Sequence, residues 1–324
     1  MQRLVPALFL LFVAVAGETR AADDKPFRFP AAKHKGAELK YINGLPVLIV
    51  SGSPEEIGEA VGKLALKPAP KVLGYPRDLL KALKIDWSWK LFLGNGKAMF
   101  KQFPAAYAKE LEAIVKGSGG ERDLVIAGNT FFDIKKVVAC SAVLVDKTRA
   151  KNGSPILARN LDYPSLGYIH EYSLVTIYRP KGKFAFATVG FPGLVGVLSG
   201  MNEHGLALGV LEVFDVKSGK THYNAKGIPY GLNLRTLLEE CKTIDEAKKK
   251  LEKLARTTTI NVAIADKKSV GVLEVTPPAA QASPQTIDIH QQVSHITLPD
   301  GDVLPGHGLK TAEAHAPVVG WTRT

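Results

Sequence analysis

The 324-residue chain is poor in sulfur, with 2 cysteines and 3 methionines. Two cysteines allow one disulfide at most, which excludes a disulfide-stapled scaffold, and a chain this long can bury a large core without one. Long apolar runs are missing as well. The one marked run, Leu4 to Gly17 behind Arg3, falls short of the ~20 residues that a membrane span needs. With its basic start and the small residues around Thr19, Ala21 and Ala22, it reads as a secretory signal peptide over residues 1–21. The expectation is therefore an exported protein, secreted or periplasmic, without stable membrane insertion.

Several chemistries lack their signatures. VKSGKT resembles the end of a phosphate-binding loop, but the glycine needed five positions before Gly219 is Phe214. The glycines at 190, 193, 196 and 200 do not form GxGxxG and read as places of close backbone packing. His290, His295, His307 and His315 have no carboxylate or cysteine at ligand spacing, so neither a metal nor another cofactor is expected. The formal charge is +11, which raises nucleic-acid binding. The lysines are scattered, however, and the densest run, Lys248–Lys250, lies in an amphipathic helix pattern. A nucleic-acid partner is not expected, and a weak attraction to anionic cell surfaces stays open. Trp87, Trp89 and Phe92 read as a core or lid patch.

What is present is ordinary globular composition, 46% hydrophobic and 23% charged, which argues against disorder or a coiled coil. Residues 23–36 read as a loose arm. GLPVLIVSG (44–52) reads as a strand, and SPEEIGEAVGKLALK as a helix capped by Ser53 with Pro54 at its first position. RDLLKALKI and YAKELEAIVKG add further helices. From Val137 to Val213 come short β-type runs split by turn signals such as Asn152-Gly153. Two helices follow, about 230–241 and 244–254, then the strands TTINVAIAD and VGVLEV. Strands, helices and strands in that order suggest α+β layering. After Pro277 no period is sustained, and the tail reads as loose, altered or truncated.

Cys241 sits at helical spacing with Leu234, Leu237 and Leu238 and reads as a buried core thiol. Cys140 then needs its own explanation. A strand from Cys140, a turn over Lys151-Asn152-Gly153 and the return run ILARNLDY bring Arg159 and Asp162 back beside it. A thiol between a cation and a carboxylate has the means to be held as thiolate and oriented. From spacing alone, a surface Arg159–Asp162 pair beside a core thiol fits at least as well, and both readings stay open.

Cys140 followed by ARNLDY, then GFPGLVGVLSGMNEHGLALG, then TTINVAIADKKSVGVLEV, resembles the acyltransferase branch of the N-terminal-nucleophile (Ntn) hydrolases. The best-known members are the acyl-coenzyme A:6-aminopenicillanic acid (isopenicillin N) acyltransferases; choloylglycine hydrolases are more distant relatives. SPEEIGEAVGKLALK resembles the helix that opens the branch's precursor segment. The resemblance implies a four-layer αββα sandwich behind a mainly helical precursor segment, residues 22–139, with a catalytic core over 140–276 and a tail over 277–324. It also implies self-cleavage of the Ala139–Cys140 bond, after which Cys140 supplies both the attacking thiol and, through its α-amine, the base. Arg159 and Asp162 match the element that positions this nucleophile, and Asn202 and Asn261 match the two oxyanion-holding asparagines. The implied reaction is acyl transfer from a small-molecule acyl-amide through a thioester, with the two chains staying associated after the cut. The alternative is a catalytically impaired, secreted binding protein on the same scaffold.

Overall fold

The computed structural model describes residues 26–134, 139–213, 223–277 and 288–290. The expected signal peptide, residues 1–21, and all but three residues of the tail after Pro277 lie outside them. In chain order the first elements are β1 Ala32–His34, β2 Ala37–Ile42, β3 Leu45–Gly52, α1 Pro54–Val61, α2 Tyr75–Ala82, α3 Trp89–Phe100, α4 Ala105–Ser118 and α5 Arg122–Ile134. Then come β4 Ala139–Val145, β5 Ile156–Asp162, β6 Leu174–Pro180, β7 Phe186–Gly190, β8 Ser199–Asn202 and β9 Ala207–Glu212. The last are α6 Tyr230–Glu240, α7 Ile244–Lys253, β10 Ile260–Ala265, β11 Val270–Val275 and β12 Asp288–His290. This is the expected α+β class. Among the described residues no helix is long and apolar enough to cross a membrane.

The chain forms two compact units, each assembled from separate stretches of the chain. The first unit holds residues 26–134 together with 164–181 and 189–195. Its strands run β1-β2-β3-β6, and β3 pairs with β6 in parallel, Val47 opposite Val175. A strand from before Cys140 and one from after it thus share one ladder. Asn129 of α5 fastens a second downstream piece: it donates to Gly193 O at 2.8 Å and accepts from Val195 N at 2.7 Å. Helix α1 starts as expected. Ser53 Oγ accepts from Glu56 N while the Glu56 carboxylate accepts from Ser53 N, a capping box that satisfies two backbone donors left over at a helix start. Gly58 lets α1 lie directly on α4, since a β-carbon there would sit 2.2 Å from Glu110 O.

One expectation for this unit needs correction. Part of the supposed loose arm, with the residues after it, forms β1 and β2. In β2, Ala37 and Leu39 are buried and alternate with less buried Glu38 and Lys40, the period-2 pattern of a strand with one face covered. In the Trp87–Phe92 segment, read as a core or lid patch, Phe92 is buried while Trp87 is 78% exposed.

The second unit holds 139–163, 182–188 and the described residues from 196 onward. Its main sheet runs β7-β8-β9-β10-β11-β12, antiparallel throughout. The β4–β5 hairpin forms a separate two-stranded sheet that packs on β9, β10 and β11, while α6 packs on β8 and α7 on β11. Two glycines mark the two faces of the main sheet. A β-carbon on Gly209 would meet the Arg159 side chain of the hairpin, and one on Gly200 would meet Leu238 of α6. Hairpin, sheet and helices therefore stack as three layers. Cys241 is buried and free at the end of α6, as expected, and burial pushes its thiol up to about 11.

Candidate active site

Cys140 is the second residue of β4 and lies opposite Leu161 of β5. Directly paired residues of an antiparallel ladder point the same way, and side chains alternate along each strand. Cys140, Ala142, Arg159 and Leu161 therefore share one face, and Asp162, paired with Ala139, belongs to the other. Burial agrees: Arg159 and Leu161 are half-buried, and Asn160 and Asp162 are exposed. The hairpin brings one of its two expected charged residues to the thiol. Arg159 Nη2 lies 3.3 Å from Cys140 Sγ. Asp162 instead stands on the exposed face, across from Ala139, the residue that precedes Cys140.

Arg159 is held by the main sheet. Its Nη1 donates to Ser199 Oγ and to Leu198 O, and its Nη2 donates to Val210 O. Its stem crosses Gly209, where a β-carbon would come within 3.1 Å of Cγ and 3.4 Å of Nε. The buried Nε has no hydrogen-bond partner among the described residues.

Burial raises the Cys140 thiol above its ordinary value; the Arg159 charge and a hydrogen bond from the Glu212 backbone pull it down, and the Glu212 carboxylate pushes it up. Burial wins. At neutral pH the Cys140 thiol is therefore protonated, and nucleophilic chemistry there needs a base.

The two asparagines differ. Asn202 is 3% exposed and fully engaged. Its Nδ2 donates to Leu238 O at 2.9 Å and to Cys241 O at 2.7 Å, while Oδ1 accepts from His204 N and Leu206 N. Both amide hydrogens are spent on tying the end of α6 to the β8–β9 turn, which leaves none for an oxyanion. Asn261 lies opposite Leu211, and two residues along, Ala263 lies opposite Gly209. By strand alternation Asn261 shares the face of Gly209, the face the hairpin covers. The structure thus brings Cys140, Arg159 and the face bearing Asn261 together and assigns Asn202 to scaffolding. Ser199, Gly209 and Glu212 were not singled out from sequence. Each sits in an unremarkable strand run and acquires meaning only once the hairpin is laid on it.

The family model described as acyl-coenzyme A:6-aminopenicillanic acid acyl-transferase matches residues 148–297. This match bears out the resemblance to the acyltransferase branch of the Ntn superfamily. Protein dcd1A of Dictyostelium discoideum is 27% identical over 169 residues, covering 49% of this chain and 37% of that protein. The chain thus spans little more than a third of that relative. A solved structure, the N-acylethanolamine-hydrolyzing acid amidase ortholog of Caenorhabditis elegans, aligns at 15% identity with a TM-score of 0.36, over 48% of this chain and 64% of that one.

Proposed function

We propose that the chain is the precursor of an Ntn-type cysteine amidase or acyltransferase that cuts itself between Ala139 and Cys140. The observation that carries this reading is the 3.3 Å contact of Arg159 Nη2 with Cys140 Sγ at the head of β4. A thiol kept protonated by burial calls for a base close by. Cleavage creates one on the same residue: the freed α-amine, with an ordinary pKa of ~7.7–8.0. In this reading the amine takes the thiol proton, sulfur adds to the acyl carbonyl, and Asn261 donates to the oxyanion. The carbon–nitrogen bond then breaks as the amine passes its proton to the leaving nitrogen. Water or an acceptor amine attacks the resulting thioester, releases the acyl product and restores the thiol. Arg159 holds the sulfur, and Asp162, across from Ala139, is set to hold the new amine.

Export after loss of residues 1–21 belongs to the same proposal. An exported enzyme meets little acyl-coenzyme A, which favours hydrolysis of linear amides such as N-acyl amino acids. A second reading, a binding protein on this scaffold, draws on one observation, the full engagement of Asn202. Intact mass and N-terminal sequencing of the purified protein, beside Cys140→Ala, separate the two. Two fragments, the larger beginning at Cys140 and absent from the variant, support the enzyme. One uncut chain in both supports the binding protein.

A further inference from the structure

The most exposed large apolar side chains among the described residues are Trp87, 78% exposed, and Leu91, 65% exposed. They stand together at the start of α3. A short 3-10 turn, Asp86–Ser88, leads into that helix, and Ser88 Oγ donates to Ile85 O at 2.6 Å. Trp89 stacks on the buried Phe92, ring centroids 5.7 Å apart. The turn is therefore pinned from beneath, and Trp87 is displayed on a fixed support. Helix α3 buries Phe92, Gly96 and Met99 on its inner stripe; Trp87, Lys90 and Leu91 are exposed.

The surroundings are basic. Lys81, Lys84 and Lys90 are exposed, with Asp86 the one exposed acid between residues 81 and 91. Among the described residues no carboxylate pairs with these three lysines. Trp and Leu offered on a rigid turn, with exposed lysines close by in the chain that no described carboxylate pairs, suit a headgroup boundary, where an indole sits at the polar–apolar step and ammonium groups meet phosphate. Interior packing would leave no reason for the lysines, and a free anion would leave none for the indole.

We propose that this turn and the first turn of α3 dock the protein on anionic lipid surfaces, Trp87 and Leu91 entering the headgroup–acyl boundary while Lys81, Lys84 and Lys90 engage lipid phosphates. The contact is peripheral and reversible, and it is independent of the reading given to Cys140.

The test is co-sedimentation of the full chain with phosphatidylcholine vesicles made with and without phosphatidylglycerol, at low and high salt. The wild type sediments with the anionic vesicles, less so at high salt. Trp87→Ser with Leu91→Ser lowers the partition at least tenfold, with an unchanged melting curve because both side chains are exposed. Lys84→Glu and Lys90→Glu each lower it by about fivefold or more at low salt. Lys249→Glu, on the exposed side of α7, leaves it unchanged. Failure of the wild type to sediment, or retained binding in the Trp87/Leu91 variant, overturns the proposal. So does a Lys249→Glu effect equal to that of Lys90→Glu, which would assign binding to net charge. A wild-type dimer that Trp87→Ser converts to monomer, with vesicle binding unchanged, would give the patch to a second copy instead.

Discussion

Arg159 lies across Gly209, its Cγ 3.1 Å from where a β-carbon on that glycine would stand. The arginine cannot drift aside freely, because its guanidinium is tied to Ser199 Oγ and Val210 O. Gly209→Ala is expected to cost about 1–3 kcal/mol of stability through overpacking, and to slow self-cleavage at least tenfold. Chemical denaturation and the time course of fragment appearance check the two effects separately.

The Cys140 thiol is raised by burial and lowered by Arg159. Alkylation of the uncut chain in a Cys241→Ala background should therefore have its pH midpoint above that of an ordinary thiol. Removing the cation with Arg159→Ala should move that midpoint higher still. A midpoint at or below the ordinary value would show that the Arg159 contribution outweighs burial.

Asn202 and Asn261 should part company. Asn202→Ala strands two carbonyls and two backbone donors, and a loss of about 3 kcal/mol or more is expected. Asn261→Ala should leave the melting temperature nearly unchanged while lowering kcat ~10²–10³-fold, as removal of an oxyanion donor does. Thermal melts and turnover on an N-acyl amide distinguish the pair.

Cys241 makes the protein sensitive to alkali. Its thiol stands at about 11 when folded, against an ordinary value of 9.0, so the unfolded chain ionises first as pH rises. The contribution is complete below pH 9 and is lost on the way up through the folded value of about 11. The wild-type melting temperature should fall across that interval more steeply than that of Cys241→Ala.

After cleavage the fragments should stay together. β3, from before the cut, pairs with β6, from after it, and Asn129 holds Gly193 and Val195. Size-exclusion chromatography of the processed protein should give one peak that separates into two chains only in denaturant.

The parts of this structure legible in the sequence are those with local causes. Ser53 and Glu56 announce α1 because a cap is written within four residues, and the β4–β5 hairpin follows from two short apolar runs around Asn152-Gly153. Leu234, Leu237, Leu238 and Cys241 show their buried stripe by period alone. The strand pattern of Ala37-Glu38-Leu39-Lys40 was equally local, but its short neighbour β1 hid it among polar residues. The parallel partnership of β3 and β6 has no local trace, since the two strands are separated by five helices and a hairpin. The site divides in the same way. Arg159 could be placed beside Cys140 from a hairpin; the grip of Ser199 and Val210 on it, and the withdrawal of Asn202 into a turn, depend on contacts 36 to 51 residues away in the chain.

Those long reaches set a clock. Ser199 and Val210 follow Arg159 by 40 and 51 residues, so a growing polypeptide that has passed Cys140 and even Arg159 still has no seat for the guanidinium. Until the ribosome has delivered β9, nothing fixes the cation at the sulfur. Under the function proposed above, scission at Ala139–Cys140 would thereby be withheld from the nascent chain, and Cys140 would be armed only in a molecule whose sheet has already closed.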